Sequence, residues 1–163
     1  MKKTLASSIL ALLLAVALAS IAFAAPAANN VAPFNGSLNA TETDLVPAPY
    51  DTLYVDGHGS GNATQLGRYQ VHFTAVVNIA TLSGPDIATF VAANGDSLSA
   101  LGAGQAVTTD FITFDIVEHY TITGGTGRFA SATGSFTVLR QLYAPTGVST
   151  GSFDGTIVLA EEQ

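Results

Sequence analysis

Thr121-Ile-Thr-Gly-Gly-Thr-Gly-Arg-Phe-Ala-Ser-Ala-Thr-Gly-Ser-Phe136 is the stretch around which the chain is organised. A strand runs into it, a glycine turn reverses it, and a second strand leaves. Gly124, Gly125 and Gly127 fall within four residues. Glycine takes positive φ without steric cost, so the reversal is tight and irregular. Phe129 to Thr133 has room for one helical turn before Gly134 restarts a strand. A glycine-rich loop also invites a phosphate-binding reading. The Walker pattern needs a Lys and a Ser or Thr after its last glycine, and the dinucleotide pattern needs a strand, loop and helix followed by an acid. Neither is present, and the glycines read as a structural turn.

Outward from this turn the apolar residues recur with period two rather than 3.6. Phe34, Gly36, Leu38 and Ala40 alternate with Asn35, Ser37, Asn39 and Thr41, giving a first strand with one wet face. Val46 to Tyr50, with Pro47 and Pro49, is a loop. Leu53, Val55 and Gly57 alternate with Tyr54, Asp56 and His58, and Gly59 to Asn62 is expected to turn the chain. Tyr69, Val71, Phe73, Ala75 and Val77 then oppose Arg68, Gln70, His72 and Thr74 across the clearest strand. Gly84-Pro85 marks another expected break. Asn94-Gly95 predicts a two-residue type I′ hairpin that pairs Val91 with Leu98 and Ile87 with Gly102. Ile112–Thr123, Gly134–Tyr143 and Gly151–Ala160 complete about eight strands. Short strands at steady spacing mean an all-β sandwich or barrel.

The run Gly124-Gly125-Thr126-Gly127-Arg128-Phe129, followed by Ala132-Thr133-Gly134, resembles the Gly-Gly-Thr-Gly-x-Phe…Ala-x-Gly signature of dirigent proteins and, more loosely, the allene oxide cyclases. Those families share an eight-stranded antiparallel barrel. The stretch from Gly59 to Tyr69 is similar to exported bacterial proteins expected to share it. The dirigent pattern usually has Arg where this chain has Thr133. The resemblance covers about one hairpin and matches no catalytic motif position by position, so it implies a fold and carries over no catalytic residue. Together with the strand count it implies a closed eight-stranded antiparallel β-barrel of the allene oxide cyclase/dirigent-like kind. Closure removes free strand edges. A barrel of that size is filled by side chains or holds one small ligand.

The chain has 163 residues, 48% of them apolar and 10% charged, with net charge −7, no Cys and no Trp. Lys2 and Lys3, the apolar run from Leu5 to Ile21 and the small-x-small site Ala22-Phe23-Ala24 read as an export signal cleaved before Ala25. A single transmembrane anchor is the rival, since the apolar run comes near spanning length. The Ala-rich end and the cleavage site favour removal. The expected organisation is a signal-peptide helix over 1–24, a flexible leader over 25–33 and the barrel over 34–163, in a periplasmic or extracellular protein without a stable membrane anchor. Cleavage leaves three arginines against twelve acids, a charge of −9 with no lysine. Nucleic acid and anionic membrane surfaces both need basic patches and are poor partners. Without cysteine there is no thiolate chemistry, and no cofactor is called for.

Aligning the apolar faces across the glycine turn sets Ile122 opposite Phe136, Tyr120 opposite Val138 and Ile116 opposite Leu142. Glu118 then lies opposite Arg140, both on otherwise apolar faces. If that face points inward, an acid and a base are paired inside the barrel, and Tyr120, Phe136, Val138 and Phe73 line its cavity. The pair is then a polar anchor for a ligand, or a group for proton transfer. A structural ion pair near the mouth is the plainer alternative. Asp56 and His58 on one strand, with Arg68, Gln70 and His72 on the next, gather on one face. Two imidazoles and a carboxylate are able to hold a divalent metal, but a solvated outer face is the simpler account and no metal is assigned. His119, beside Asp115 on the wet face, reads as ordinary surface. No Gly-x-Ser-x-Gly elbow is present. The leading expectation is an exported acidic barrel that binds a small hydrophobic or phenolic ligand or acts as a scaffold. A cyclase or isomerase and a structural envelope protein are the alternatives, and homo-oligomerisation through flat strand faces is left open.

Overall fold

In the computed structural model, described for residues 30–47 and 50–160, the period-two pattern becomes a sheet that closes on itself. The expected signal peptide lies outside the described residues, as does the leader up to residue 29. The strands are β1 (Asn30–Pro33), β2 (Gly36–Leu45), β3 (Thr52–Ala63), β4 (Gly67–Asn78), β5 (Ser83–Ala92), β6 (Ser97–Val107), β7 (Thr113–Gly125), β8 (Thr133–Tyr143) and β9 (Val148–Leu159). Each neighbour in the order β2 to β9 is antiparallel to the next, and β9 returns to pair with β2. The result is a closed, eight-stranded, up-and-down antiparallel barrel.

β1 is the start of the same wall rather than a leader. Asn30 pairs with Leu159 and Pro33 with Thr156, while Gly36 pairs with Phe153 in the same register. Between them the Phe34 N–H donates to the Gly155 carbonyl at 2.9 Å. Thus Asn30–Pro33, expected as leader, is an extra strand against β9, because β9 is long enough to pair with both β1 and β2.

Inward side chains are apolar over most of the barrel, and the outward ones are mostly polar, chiefly Asn, Ser, Thr, Asp and His, with Ile87, Leu101, Val117 and Leu139 among the exposed apolar ones. One end is solid. Phe34, Phe90, Phe136 and Phe153 interlock there, with ring centroids 5.0 to 6.4 Å apart. Leu66, Leu98, Phe129 and Ile157 close it over. The glycine turn between β7 and β8 makes this lid. A short 3₁₀ turn, Gly127–Phe129, tucks the fully buried Phe129 inward. Gly127 has φ 55°, and a Cβ there would collide with the Asp96 carboxylate. Thr126 Oγ1 accepts the Ser97 N–H at 2.9 Å, and Arg128 Nη2 donates to Gln65 Oε1 at 2.9 Å, so three turns are stitched together.

Two expected breaks fall elsewhere, and a third forms with a different loop. Gly59–Asn62 lies inside β3, and the chain turns at Thr64–Leu66 instead. Gly61 leaves room for Tyr69, whose hydroxyl crosses it to donate to the Ser37 carbonyl at 2.7 Å. Gly84-Pro85 lies inside β5. The β4–β5 ladder lapses between its Ala75–Asp86 and Asn78–Ser83 pairs, where a proline without an N–H does no harm. The true break is Ile79–Leu82, where the Asn78 side-chain oxygen accepts the Ala80 and Thr81 N–H groups at 3.0 Å. Asn94-Gly95 does form a hairpin, but with a three-residue loop. The Gly95 N–H donates to Ala92, the Ala92 N–H to Asp96, and Gly95 takes φ 90°. Phe90 therefore faces Leu98, and Ile87 faces Leu101. The two-residue turn would have set outward Val91 against buried Leu98, since a one-residue slip exchanges the faces.

Candidate functional site

β7 and β8 carry the acid and base singled out in the sequence, but their register differs by two residues. Tyr120 pairs with Phe136, Glu118 with Val138 and Ile116 with Arg140. Matching apolar faces alone tolerates such a slip, because side chains repeat every two residues. The stack of Tyr120 on Phe136, 5.0 Å between centroids and 13° apart, belongs to the observed register. The slip preserves the face, so Glu118 and Arg140 meet inside the barrel as diagonal neighbours rather than opposite one another.

Arg140 is the hub of a buried network. Its Nη2 donates to Glu118 Oε1 at 2.8 Å and its Nε to the two Glu118 oxygens at 3.1 and 3.2 Å. Its Nη1 donates to Glu42 Oε2 at 3.1 Å. The guanidinium carbon lies 5.3 Å from the centre of the Phe73 ring, a cation–π contact. Burial works against the charge of Arg140, but the Glu118 carboxylate and its hydrogen bonds outweigh it, so the group stays cationic. Burial also raises Glu42 above the usual carboxylate range, with Arg140 opposing the shift and Asp44 adding to it.

Asp86 completes the group from β5. Only 3% of it is exposed, and no donor reaches either carboxylate oxygen in hydrogen-bonding geometry. Tyr120 and Glu118 are nonetheless near enough to act on it, by charge and by strained hydrogen bonding, the Tyr120 hydroxyl favouring its ionised form and Glu118 its protonated one. Burial pushes the Asp86 carboxyl up to about 7, and the Glu118 charge adds to the effect. Burial, helped by the charges of Glu118 and Asp86, likewise holds the Tyr120 phenol above its ordinary range.

Glu42 and Asp86 were not singled out in the sequence, although the alternation held the signal. Leu38 and Ala40 extend by two to Glu42, and Phe90 and Ala88 extend back by two to Asp86. Ending the first strand at Thr41, and breaking the chain at Gly84-Pro85, hid both.

Beside this network lies a cavity of about 210 Å³. Leu53, Val55, Val77, Ile116 and Leu142 form its apolar walls, and Glu42, Asp86, Glu118 and Arg140 its charged floor. Glu118 and Arg140 also border a space of only about 20 Å³ on the aromatic side, so they separate the hollow half of the barrel from the packed half. The side chains expected to line the cavity are all interior but sit beneath that floor. Phe73, Tyr120 and Val138 border the small space, and Phe136 belongs to the aromatic cluster. The packed half took most of the inward aromatic residues, and the hollow is walled largely by aliphatic ones, with Phe111 and Phe114 among its lining.

Leu82 and Phe111 stand at the rim with φ of 52° and 58°, a left-handed conformation rare for such residues. Their loops are held by local hydrogen bonds. Thr108 Oγ1 accepts the Phe111 N–H at 3.0 Å, and Asp110 Oδ1 accepts the Ile112 and Thr113 N–H groups at 2.9 Å. Those backbone donors hold Asp110 below its ordinary range.

On the outer wall Asp56, His58 and His72 do come together, 3.1 Å apart at their closest atoms. Among the described residues, no hydrogen bond or ion pair joins Arg68 or Gln70 to them. His119 faces outward with its Nδ1 3.0 Å from Thr137 Oγ1, and Asp115 accepts instead from Gln141 at 2.9 Å. No protein-family model matches this chain, and no curated protein matches it in sequence.

Proposed function

We propose that this protein is an exported binding barrel whose cavity takes a small, mostly apolar ligand bearing one polar group, of the phenol type. The observation that carries the reading is Asp86, a buried carboxyl on the floor of an apolar hollow that has no partner in good hydrogen-bond geometry, Tyr120 and Glu118 lying near but poorly aligned. Buried polar groups are almost always hydrogen-bonded, and one left without a partner calls for an explanation such as a bound molecule. An apolar cavity of about 150 Å³ is enough to hold benzene. The hollow of about 210 Å³ accordingly suits one ring with a short substituent. Below about pH 7 the Asp86 carboxyl both donates and accepts, and it meets a phenolic hydroxyl with either role. Export to the periplasm or beyond, and kinship with the dirigent and allene oxide cyclase barrels, are part of this proposal. The signal-like N-terminus and the Gly124–Gly134 turn support them.

The test is calorimetric titration with p-cresol and with toluene, which differ by one hydroxyl. We expect p-cresol to bind at least about tenfold more tightly, since a site built to hydrogen-bond a hydroxyl rejects the analogue lacking it. Asp86→Leu should abolish the preference. Equal binding of the two, or binding of neither, refutes the reading. The cyclase or isomerase alternative draws on the same carboxyl, because a group titrating near neutrality suits proton transfer. It predicts substrate turnover that Asp86→Asn removes while leaving affinity intact. A purely structural envelope role predicts that no small molecule binds the interior.

A further inference from the structure

The outer wall carries a cluster independent of the cavity. His58 on β3 and His72 on β4 are direct cross-strand partners, and their rings stack 4.5 Å apart at 18°. Asp56 stands two residues before His58, so the strand's period sets it on the same outward face. Its Oδ1 lies 3.1 Å from His58 Nε2 and its Oδ2 3.1 Å from His72 Nε2. Ligand-type atoms of all three lie within 4.8 Å of one another. Each imidazole thus turns the same nitrogen to a single carboxylate. With the ring protons on Nδ1, two nitrogen lone pairs and a carboxylate converge on one spot.

We propose that Asp56, His58 and His72 form a surface site for a divalent transition cation of the zinc class, held by two imidazole nitrogens and one carboxylate oxygen with a coordination position left open. The spacing suits the metal. Zinc–ligand bonds of about 2.0–2.1 Å to an imidazole nitrogen and the carboxylate oxygen 3.1 Å from it enclose an angle near 100°, close to tetrahedral, and each histidine has such an oxygen, His58 in Oδ1 and His72 in Oδ2. The donor set discriminates, since imidazole suits zinc, copper and nickel, whereas calcium and magnesium take oxygen ligands. The two histidines come from strands locked together by twelve register pairs, which fixes their spacing better than a loop would. His58 and His72 border an open hollow of about 820 Å³ on the barrel exterior. The hollow gives the open position room for water or for a side chain of another molecule.

Three histidines make the test internally controlled. The chelator-treated mature chain is titrated with ZnCl₂ by calorimetry, and its imidazole signals are followed by NMR. One equivalent should bind, with the signals of His58 and His72 moving and that of His119 staying in place. His58→Ala, His72→Ala and Asp56→Asn should each weaken binding by more than the roughly tenfold that losing an outer-shell partner costs. All three residues are exposed, and circular dichroism checks that the variants remain folded. CaCl₂ should leave all three signals unmoved. The proposal is overturned if zinc does not bind at one equivalent, if the His58→Ala/His72→Ala double variant binds it as well as the parent, if His119 responds equally, or if calcium acts as zinc does.

Discussion

Arg140 serves two carboxylates, and this makes its removal unlike the removal of either acid. Glu118 takes three of its hydrogen bonds and Glu42 one. Arg140→Met strands both acids beside Asp86 with no cation in the barrel floor. Removing one partner of a buried ion pair costs about 3–5 kcal/mol, because the other charge is left uncompensated. Glu118→Gln keeps an acceptor for Arg140 and leaves Glu42 as counter-charge, so we expect a loss of roughly 1–2 kcal/mol, in the range of a weakened charge-assisted hydrogen bond. Urea denaturation of both variants at pH 7 measures the difference. Equal losses would show that Glu42 shares little of the Arg140 charge. The sequence disclosed the Glu118–Arg140 pair because charges on an apolar face are conspicuous. It did not disclose the third and fourth members, because Glu42 and Asp86 lie near strand ends, where proline, glycine and polar residues blurred the alternation.

The strands set which side chains meet, and here the sequence was legible in its faces more than in its registers. Tyr69, Val71 and Phe73 are buried as their alternation required. The β7–β8 pairing is two residues from the expected one, and the β5–β6 pairing one residue. Apolar matching repeats every second residue and cannot choose between registers two apart. The choice is made by contacts distant in sequence, such as Tyr120 on Phe136 and the buried Phe129. β3 shows a related dependence. Gly57 faces Phe73 across the ladder, and a Cβ at Gly57 would collide with that ring, which also meets the Arg140 guanidinium. Gly57→Ala should therefore overpack the interior beneath the charged floor at a cost of about 1–3 kcal/mol. Gly104→Ala is the comparison, since the one tight contact of its Cβ is the Glu118 Cγ at 3.0 Å, which needs a shift of a few tenths of an ångström. Thermal denaturation should rank Gly57→Ala well below Gly104→Ala. The reverse order would mean that Glu118, rather than Phe73, is the more rigid neighbour.

At the scale of the whole molecule, the acids inside the barrel reverse the usual dependence of stability on pH. In most proteins paired carboxylates have depressed values, and stability is lost as acid protonates them. Here burial raises Asp86 from 3.8 to about 7, and raises Glu42 and Asp44 as well. Between pH 4 and 7 the folded chain holds a proton on Asp86 that the unfolded chain has released. Folding is therefore favoured at the acid end of that window, and stability falls as the pH rises through it. A shift of about three units is worth on the order of 4 kcal/mol. The exposed Asp56 and Asp110 are depressed instead, so their contribution changes only below about pH 4 and leaves the window untouched. We expect the melting temperature to be higher at pH 5 than at pH 8. Asp86→Asn, which is uncharged throughout and nearly the same shape, should flatten the profile, matching the parent at pH 5 and exceeding it at pH 8. Calorimetric melts across this range decide the matter. A parent chain that is more stable at pH 8 than at pH 5 would mean that Asp86 is ionised inside the barrel and has found a partner there.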